Sequence, residues 1–139
     1  MEIYHLNHNR DLVGFIKSAQ KNDLWVILRP GPYIDAERDL GGLPFWLLQK
    51  DPRVRLRTSD PSFIEPAEKW LTVLYTKLAP LAIGNGGPII MVQIENEYGS
   101  YAAQTSSSDI KYLVRLRDLA VKHFGNSVLL FSTDSGKQM

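Results

Sequence analysis

The sequence contains no cysteine, which excludes a disulfide framework and any thiolate metal site. No apolar stretch approaches the roughly eighteen residues needed to span a bilayer, so no membrane-spanning helix is expected. Charge of neither sign dominates. Sixteen Lys and Arg face fifteen Asp and Glu, a formal net charge of +1, with no basic run of five or more. Such a balance does not fit a chain held by phosphate neutralisation, and nucleic acid is not expected as a partner. The opening Met1–His5 lacks a basic segment followed by an apolar one, so no secretory leader is expected. Asn-x-Ser/Thr acceptors are absent. His5, His8 and His123 are scattered without metal-ligand spacing and read as surface residues, so neither metal nor cofactor is expected. Gly84–Gly87 precedes a strand pattern rather than a helix and lacks a Gly-Lys-Ser/Thr ending, so it reads as a turn and not a phosphate loop.

What is present is 139 residues, 44% hydrophobic and 22% charged, enough for one globular domain or a piece of a larger one. Asn9 suits a helix N-cap, and Leu12, Phe15, Ile16 and Ala19 fall on one helical face, predicting a helix from about Arg10 to Lys21. Leu24–Leu28 is an apolar run of the kind that forms a strand buried on both faces. Pro30 to Pro44 holds three prolines and three glycines and reads as a long functional loop. Ser59-Asp60-Pro61 starts a second helix, with Ile64, Ala67, Leu71, Leu74, Leu78 and Leu81 as its apolar stripe; Pro66 is awkward inside it. Ile89–Ile94 is a second buried strand, Gln104–Ser108 a polar loop, Asp109 to about His123 a third helix stopped by Gly125, and Val128–Phe131 a third strand.

Strands alternating with helices predict an α/β fold with a parallel sheet. Three strands cannot close a barrel and leave two open edges, so the chain is expected to be an internal slice of a larger α/β protein. Function in such folds gathers at the carboxyl ends of the strands. Arg29, Tyr33, Asp35 and Glu37 follow the first strand; Gln93, Glu95, Asn96, Glu97 and Tyr98 follow the second. The two sets should face one crevice. Strand alternation would point Glu95 and Glu97 the same way and Asn96 the other. Two acids there invite a split in pKa, as glycoside hydrolysis requires of a proton donor and a second carboxylate about 5 to 5.5 Å away for retention. Residues two apart on a strand are about 6.6 to 7 Å apart, so this pair alone leaves the geometry open. A plainer reading has the two glutamates solvated or salt-bridged. Arg29 either contacts substrate or pairs with Glu37 or Glu95. Tyr33 and Tyr98 either pack or line a sugar-sized pocket. Trp25 and Trp70 read as core, Trp46 as a cleft-lining candidate, and Asp134 as a pocket residue or a helix cap.

Leu28–Ile34, Ala36-Glu37, Gly41–Pro44, Trp46-Leu47, Gly86–Ile90 and Gln93–Tyr101, in that order, resemble the family 35 glycoside hydrolases, β-galactosidases of the animal lysosomal type. Asn9–Leu12 fits the segment upstream. The resemblance implies a TIM (β/α)8 barrel, of which helix two, strand three, helix three, strand four, helix four and strand five are present here. It also implies retaining hydrolysis of terminal β-linked galactose, a β-galactoside as partner, and a lysosomal, vacuolar or extracellular location. Carried over by residue, Glu97 is the acid/base, Asn96 holds the sugar 2-hydroxyl, and Asp35, Ala36 and Glu37 bind galactose hydroxyls, Glu37 through its carboxylate and the others through backbone. Glu95 becomes a supporting residue with Arg29, Tyr33 and Tyr98. Asp35 stands where the lysosomal enzymes have cysteine, and Arg38 where tryptophan is frequent. The family's nucleophilic glutamate belongs to strand seven, and the sugar-binding tyrosine expected before strand three is missing. An isolated chain of this kind is expected to turn over little or nothing. The alternative reading is an inactive sugar-binding module, or one that associates with the missing barrel segments or with itself through open sheet edges.

Overall fold

A computed structural model describes Leu6, residues 10–106 and residues 108–134. Helix α1 spans Leu12–Lys21 and begins on Asp11, whose side chain accepts from the Gly14 N–H at 2.9 Å. The cap is therefore Asp11 and not Asn9, which lies outside the described residues. Strand β1 covers Val26–Leu28, and the long loop after it contains one short 3-10 turn at Asp39–Gly42 and leads into helix α2, Trp46–Lys50. Helix α3, Pro61–Leu78, starts as expected, with the Asp60 carboxylate accepting from Ser62 N–H and proline at the first position. It runs through Pro66 unbroken. The carbonyl left without a donor is that of Ser62, on an exposed first turn where water can take its place.

Strand β2 spans Ile89–Gln93, helix α4 Tyr98–Thr105, helix α5 Ile110–Phe124 and strand β3 Leu129–Phe131. The predicted loop at Gln104–Ser108 is thus corrected at its start, since Gln104 and Thr105 close α4. Asp109 caps α5, and Gly125 at φ +61° ends it. The Gly84–Gly87 segment is a turn, with Gly86 left-handed at φ +80°.

The three strands form one parallel sheet in the order β1-β2-β3, with Ile27 beside Met91 beside Leu129, and Leu28 beside Val92 beside Leu130. Neighbours in register share a face. Leu28 and Val92 are buried in a single core with Leu71, Leu74 and Leu78 of α3 and Leu116 and Ala120 of α5. The other face is open: Ile27 is 54% and Leu129 61% exposed. Burial on both faces was expected of the first strand, and only one is covered among the described residues. Leu24 and Trp25, just ahead of β1, are also exposed rather than core. Trp70 does pack against the core.

Asp109 ties the helical layer to the strand ends. One carboxylate oxygen accepts from the N–H and the hydroxyl of Ser59, both at 2.7 Å, the other from Tyr112 N–H, and its own N–H donates to the Tyr98 hydroxyl at 3.0 Å. Burial pushes its pKa up, but the bonds from Ser59 and Tyr112 outweigh that and hold it below the ordinary value of 3.8. A depressed carboxylate contributes stability that is present above its unfolded pKa and lost as pH falls through the folded one. Unfolding in urea from about pH 6 down to about pH 3 should show Asp109→Asn destabilised at the upper end, with the gap to the parent chain closing below the ordinary aspartate value. A gap independent of pH would contradict this account.

Candidate active site

Beyond β1 and β2 the backbone turns sharply. Asp35, Ala36 and Glu37 are all left-handed, at φ +56°, +53° and +50°, as are Glu95 at +63° and Glu97 at +49°. Each such conformation costs an L-residue about 1–2 kcal/mol, so tertiary contacts must hold these turns. Gly41 supplies one: at φ +58°, its missing side chain leaves room for the Tyr33 ring, which an added Cβ would meet at 2.0 Å. Ile34 N–H also donates to the Gly41 carbonyl at 2.9 Å, closing the loop at its base.

The left-handed turn separates the two glutamates that strand alternation would have aligned. Glu95 swings inward and is 1% exposed, whereas Glu97 is exposed. They do not form a matched acid pair. The Glu95 partner is Arg57, from the segment between α2 and α3, which sequence reasoning missed. Arg57 Nε and Nη2 donate to the two Glu95 oxygens at 3.0 and 2.5 Å, and Nη2 also reaches the Asn96 carbonyl. Asn96 N–H and the Tyr112 hydroxyl complete the shell around the carboxylate, at 2.6 and 2.9 Å. Burial pushes the Glu95 carboxyl up, opposed by Arg57, the Asn96 N–H and Tyr112. The Tyr112 hydroxyl is pushed far up, by burial and by the facing Glu95 charge.

Three tyrosines surround the guanidinium carbon: Tyr33 at 3.9 Å, Tyr101 at 4.4 Å and Tyr98 at 5.6 Å from their ring centres. Tyr33 and Tyr98 therefore pack on a cation, and Tyr33 in addition donates its hydroxyl to Asp35 at 3.1 Å. Burial, and then that bond to Asp35, raise the Tyr33 pKa. Arg29 bonds neither Glu37 nor Glu95 among the described contacts; its Nη2 donates to Asn96 Oδ1 at 2.7 Å. The two predicted sets are thus joined twice, by Arg29 to Asn96 and by Tyr33 through Arg57 to Glu95.

Glu97 sits at the start of α4, its N–H donating to Thr133 Oγ1 at 3.3 Å, and Asp134 accepts from the N–H of Gly99, the second residue of the helix. Asp134 is therefore a cap, but of α4. Glu37, Asp35 and Ala36 are exposed on the loop after β1, and Trp46 is 43% exposed at the start of α2. His123 is half-buried against Tyr75, with the ring centres 5.8 Å apart, so it is not a plain surface residue; burial and then Lys122 lower its pKa. His5 and His8 lie outside the described residues. No cluster of metal-ligating side chains occurs among the described residues, and none of their helices is long and apolar enough to cross a membrane.

Arg57 and Glu95 are almost fully buried, so removing one partner strands the other charge. Arg57→Met should cost about 3–5 kcal/mol in chemical unfolding, and adding Glu95→Gln to that variant should recover part of the loss. A double variant no more stable than Arg57→Met alone would show that the stranded charge is not the cause.

The family model described as Glycosyl hydrolases family 35 matches residues 1–139. A mouse Beta-galactosidase-1-like protein is 51% identical over 132 residues, which is 95% of this chain and 20% of the mouse protein. Beta-galactosidase 17 of Arabidopsis thaliana is 51% identical over 126 residues, 91% of this chain and 17% of its own length. Human Beta-galactosidase is 48% identical over 131 residues, 94% and 19% respectively. The chain spans about a fifth of the length of these relatives.

Proposed function

The chain belongs to the family 35 glycosyl hydrolases, and on that premise we propose that it carries the acid/base half of a β-galactosidase site. Glu97 is the proton donor to the oxygen leaving a β-galactoside, and later the base that activates water. Asn96 binds the sugar 2-hydroxyl, and Asp35, Ala36 and Glu37 bind further galactose hydroxyls. The observation that carries the reading is the division of labour at the end of β2. Glu95 is fully engaged by Arg57, Tyr112 and the Asn96 N–H, while the Glu97 carboxylate stays exposed beside Asn96. Only the exposed one is free to exchange a proton with a substrate.

The same premise gives the architecture. A parallel sheet covered by helices on one face, with Ile27, Met91 and Leu129 open on the other, fits strands three to five of a TIM barrel whose interior faces that open side. Double displacement also requires a carboxylate nucleophile across the sugar. Glu95 is committed to Arg57, so we place the nucleophile on a strand beyond these three. Retention, galactose specificity and a lysosomal, vacuolar or extracellular location follow from the relatives' family rather than from contacts in this chain. Closure of the sheet by the other barrel strands accounts for its open edges better than a free-standing sugar-binding module does.

In two-dimensional NMR, galactose should shift resonances of Asp35–Glu37 and Asn96-Glu97 selectively, and the 139-residue chain should release little or no chromogen from an aryl β-galactoside. Shifts that avoid both segments would sink the galactose reading. Turnover that disappears in Glu97→Gln would keep the proton donor and overturn the half-site.

A further inference from the structure

Asparagine is an ambiguous recognition group, because its amide can turn either its oxygen or its NH2 toward a ligand. In this chain the ambiguity is removed by a run of hydrogen bonds with an unambiguous group at each end. Arg29 Nη2, which can only donate, points at Asn96 Oδ1 from 2.7 Å. Gln93 Nε2 donates to the same oxygen at 3.0 Å and to the Glu95 backbone carbonyl, which can only accept, at 2.7 Å. Turning the Gln93 amide over would set its oxygen against that carbonyl. Turning Asn96 over would set its NH2 against the guanidinium. Neither can flip alone, and flipping both leaves two facing clashes at the ends of the run. The arrangement persists although it leaves Gln93 Oε1 buried without a hydrogen-bond partner.

We propose that Arg29 and Gln93 are positioning residues that lock the Asn96 amide with both oxygen lone pairs occupied and its NH2 outward, so that the site selects a sugar bearing a hydrogen-bond acceptor at this position. No hydrogen bond among the described residues is donated by Asn96 Nδ2. The inference rests on the reading of Asn96 as the group that meets the sugar 2-hydroxyl, and adds to it a polarity. A hydroxyl satisfies an outward NH2 by accepting, and fluorine, which accepts only weakly and never donates, keeps part of that contact. An ammonium has no lone pair, and meets two N–H donors across the contact with the Arg29 cation behind them.

Two measurements on the 139-residue chain test this, one without sugar and one with it. The Asn96 13Cγ resonance should lie downfield, as for a carbonyl accepting two hydrogen bonds. Arg29→Lys, also donor-only, should keep it there, and Arg29→Glu, an acceptor that draws the NH2 inward, should move it upfield. If Arg29→Glu does not fold, Arg29→Met serves, with a smaller upfield move from the loss of one donor. In titrations, galactose should bind best, 2-deoxy-2-fluorogalactose next, and galactosamine, kept protonated in mildly acidic buffer, about tenfold or more weakly than galactose. Arg29→Glu should narrow or reverse that gap.

A 13Cγ shift untouched by either substitution, or galactosamine binding as tightly as galactose at a site where Asn96 resonances move, would overturn the lock. A downfield 13Cγ that follows the Arg29 variants while no sugar perturbs Asn96 would confirm the lock and remove the galactoside reading with its selectivity.

Discussion

The Arg57–Glu95 pair is the constraint on which the site is built. Both side chains are withdrawn from water, at 7% and 0% exposure, and desolvating two charges offsets most of what their attraction provides. Such a pair is a poor source of stability. What it supplies is direction. A bidentate guanidinium fixes a carboxylate in a plane, and one Arg57 nitrogen also reaches the Asn96 carbonyl, so side chain and backbone of the 95–97 turn are held from a single point. The stack of Tyr33, Tyr98 and Tyr101 around the cation then decides where that point is.

From that anchor the strained backbone becomes intelligible. Two left-handed residues flank Asn96, and three in a row form Asp35-Ala36-Glu37, conformations that Asp tolerates but that no local preference of Ala or Glu would select. They persist because each turn is tied to the other through a chain of contacts that runs from the surface into the core: Asp35 to Tyr33, Tyr33 to Arg57, Arg57 to Glu95. The strain places Glu95 inward and Glu97 outward. An extended backbone would have put both on one side and left neither role distinct.

How much of this the sequence reveals depends on the range of the interaction. Strands β1 to β3, and helices α3 and α5, are written in local signals: apolar runs, the Asp60-Pro61 start, the Asp109 cap, Gly125. Helix α4 is not, because Glu97 offers it no side-chain cap and the Gly99 N–H is satisfied by Asp134, 35 residues on. Arg57 is one of three arginines at alternate positions, with Arg53 and Arg55; nothing local distinguishes the one that is buried, since its partners come from β2 and the loop after β1. The pairing of Glu95 with Glu97 fails for a related reason. Alternation holds only while the strand lasts, and β2 stops at Gln93. The resemblance of Gln93–Tyr101 to a family motif implies a role for Glu97 without the geometry, but gives none to Arg57.

The asymmetry of the sheet bears on how such a site tolerates being carried by three strands. Helices cover one face and bury Leu28 and Val92, whereas Ile27 and Leu129 on the other remain half open. The ties that set the site run along the carboxyl ends of the strands and into the helix-covered side, through Tyr112 of α5, Ser59 ahead of α3 and Asp109 between α4 and α5. The Gln93 bond to Asn96 is the exception, since Gln93 alternates with the core residue Val92 and stands on the face of Met91. The orientation of Asn96 and of the backbone at Glu97 is therefore set by contacts within this chain, while on the proposed reading apposition of a second carboxylate depends on whatever covers Ile27, Met91 and Leu129. The proposed binding groups thus keep their aim through contacts within this chain, and damage to the cover of the open face need not disturb them.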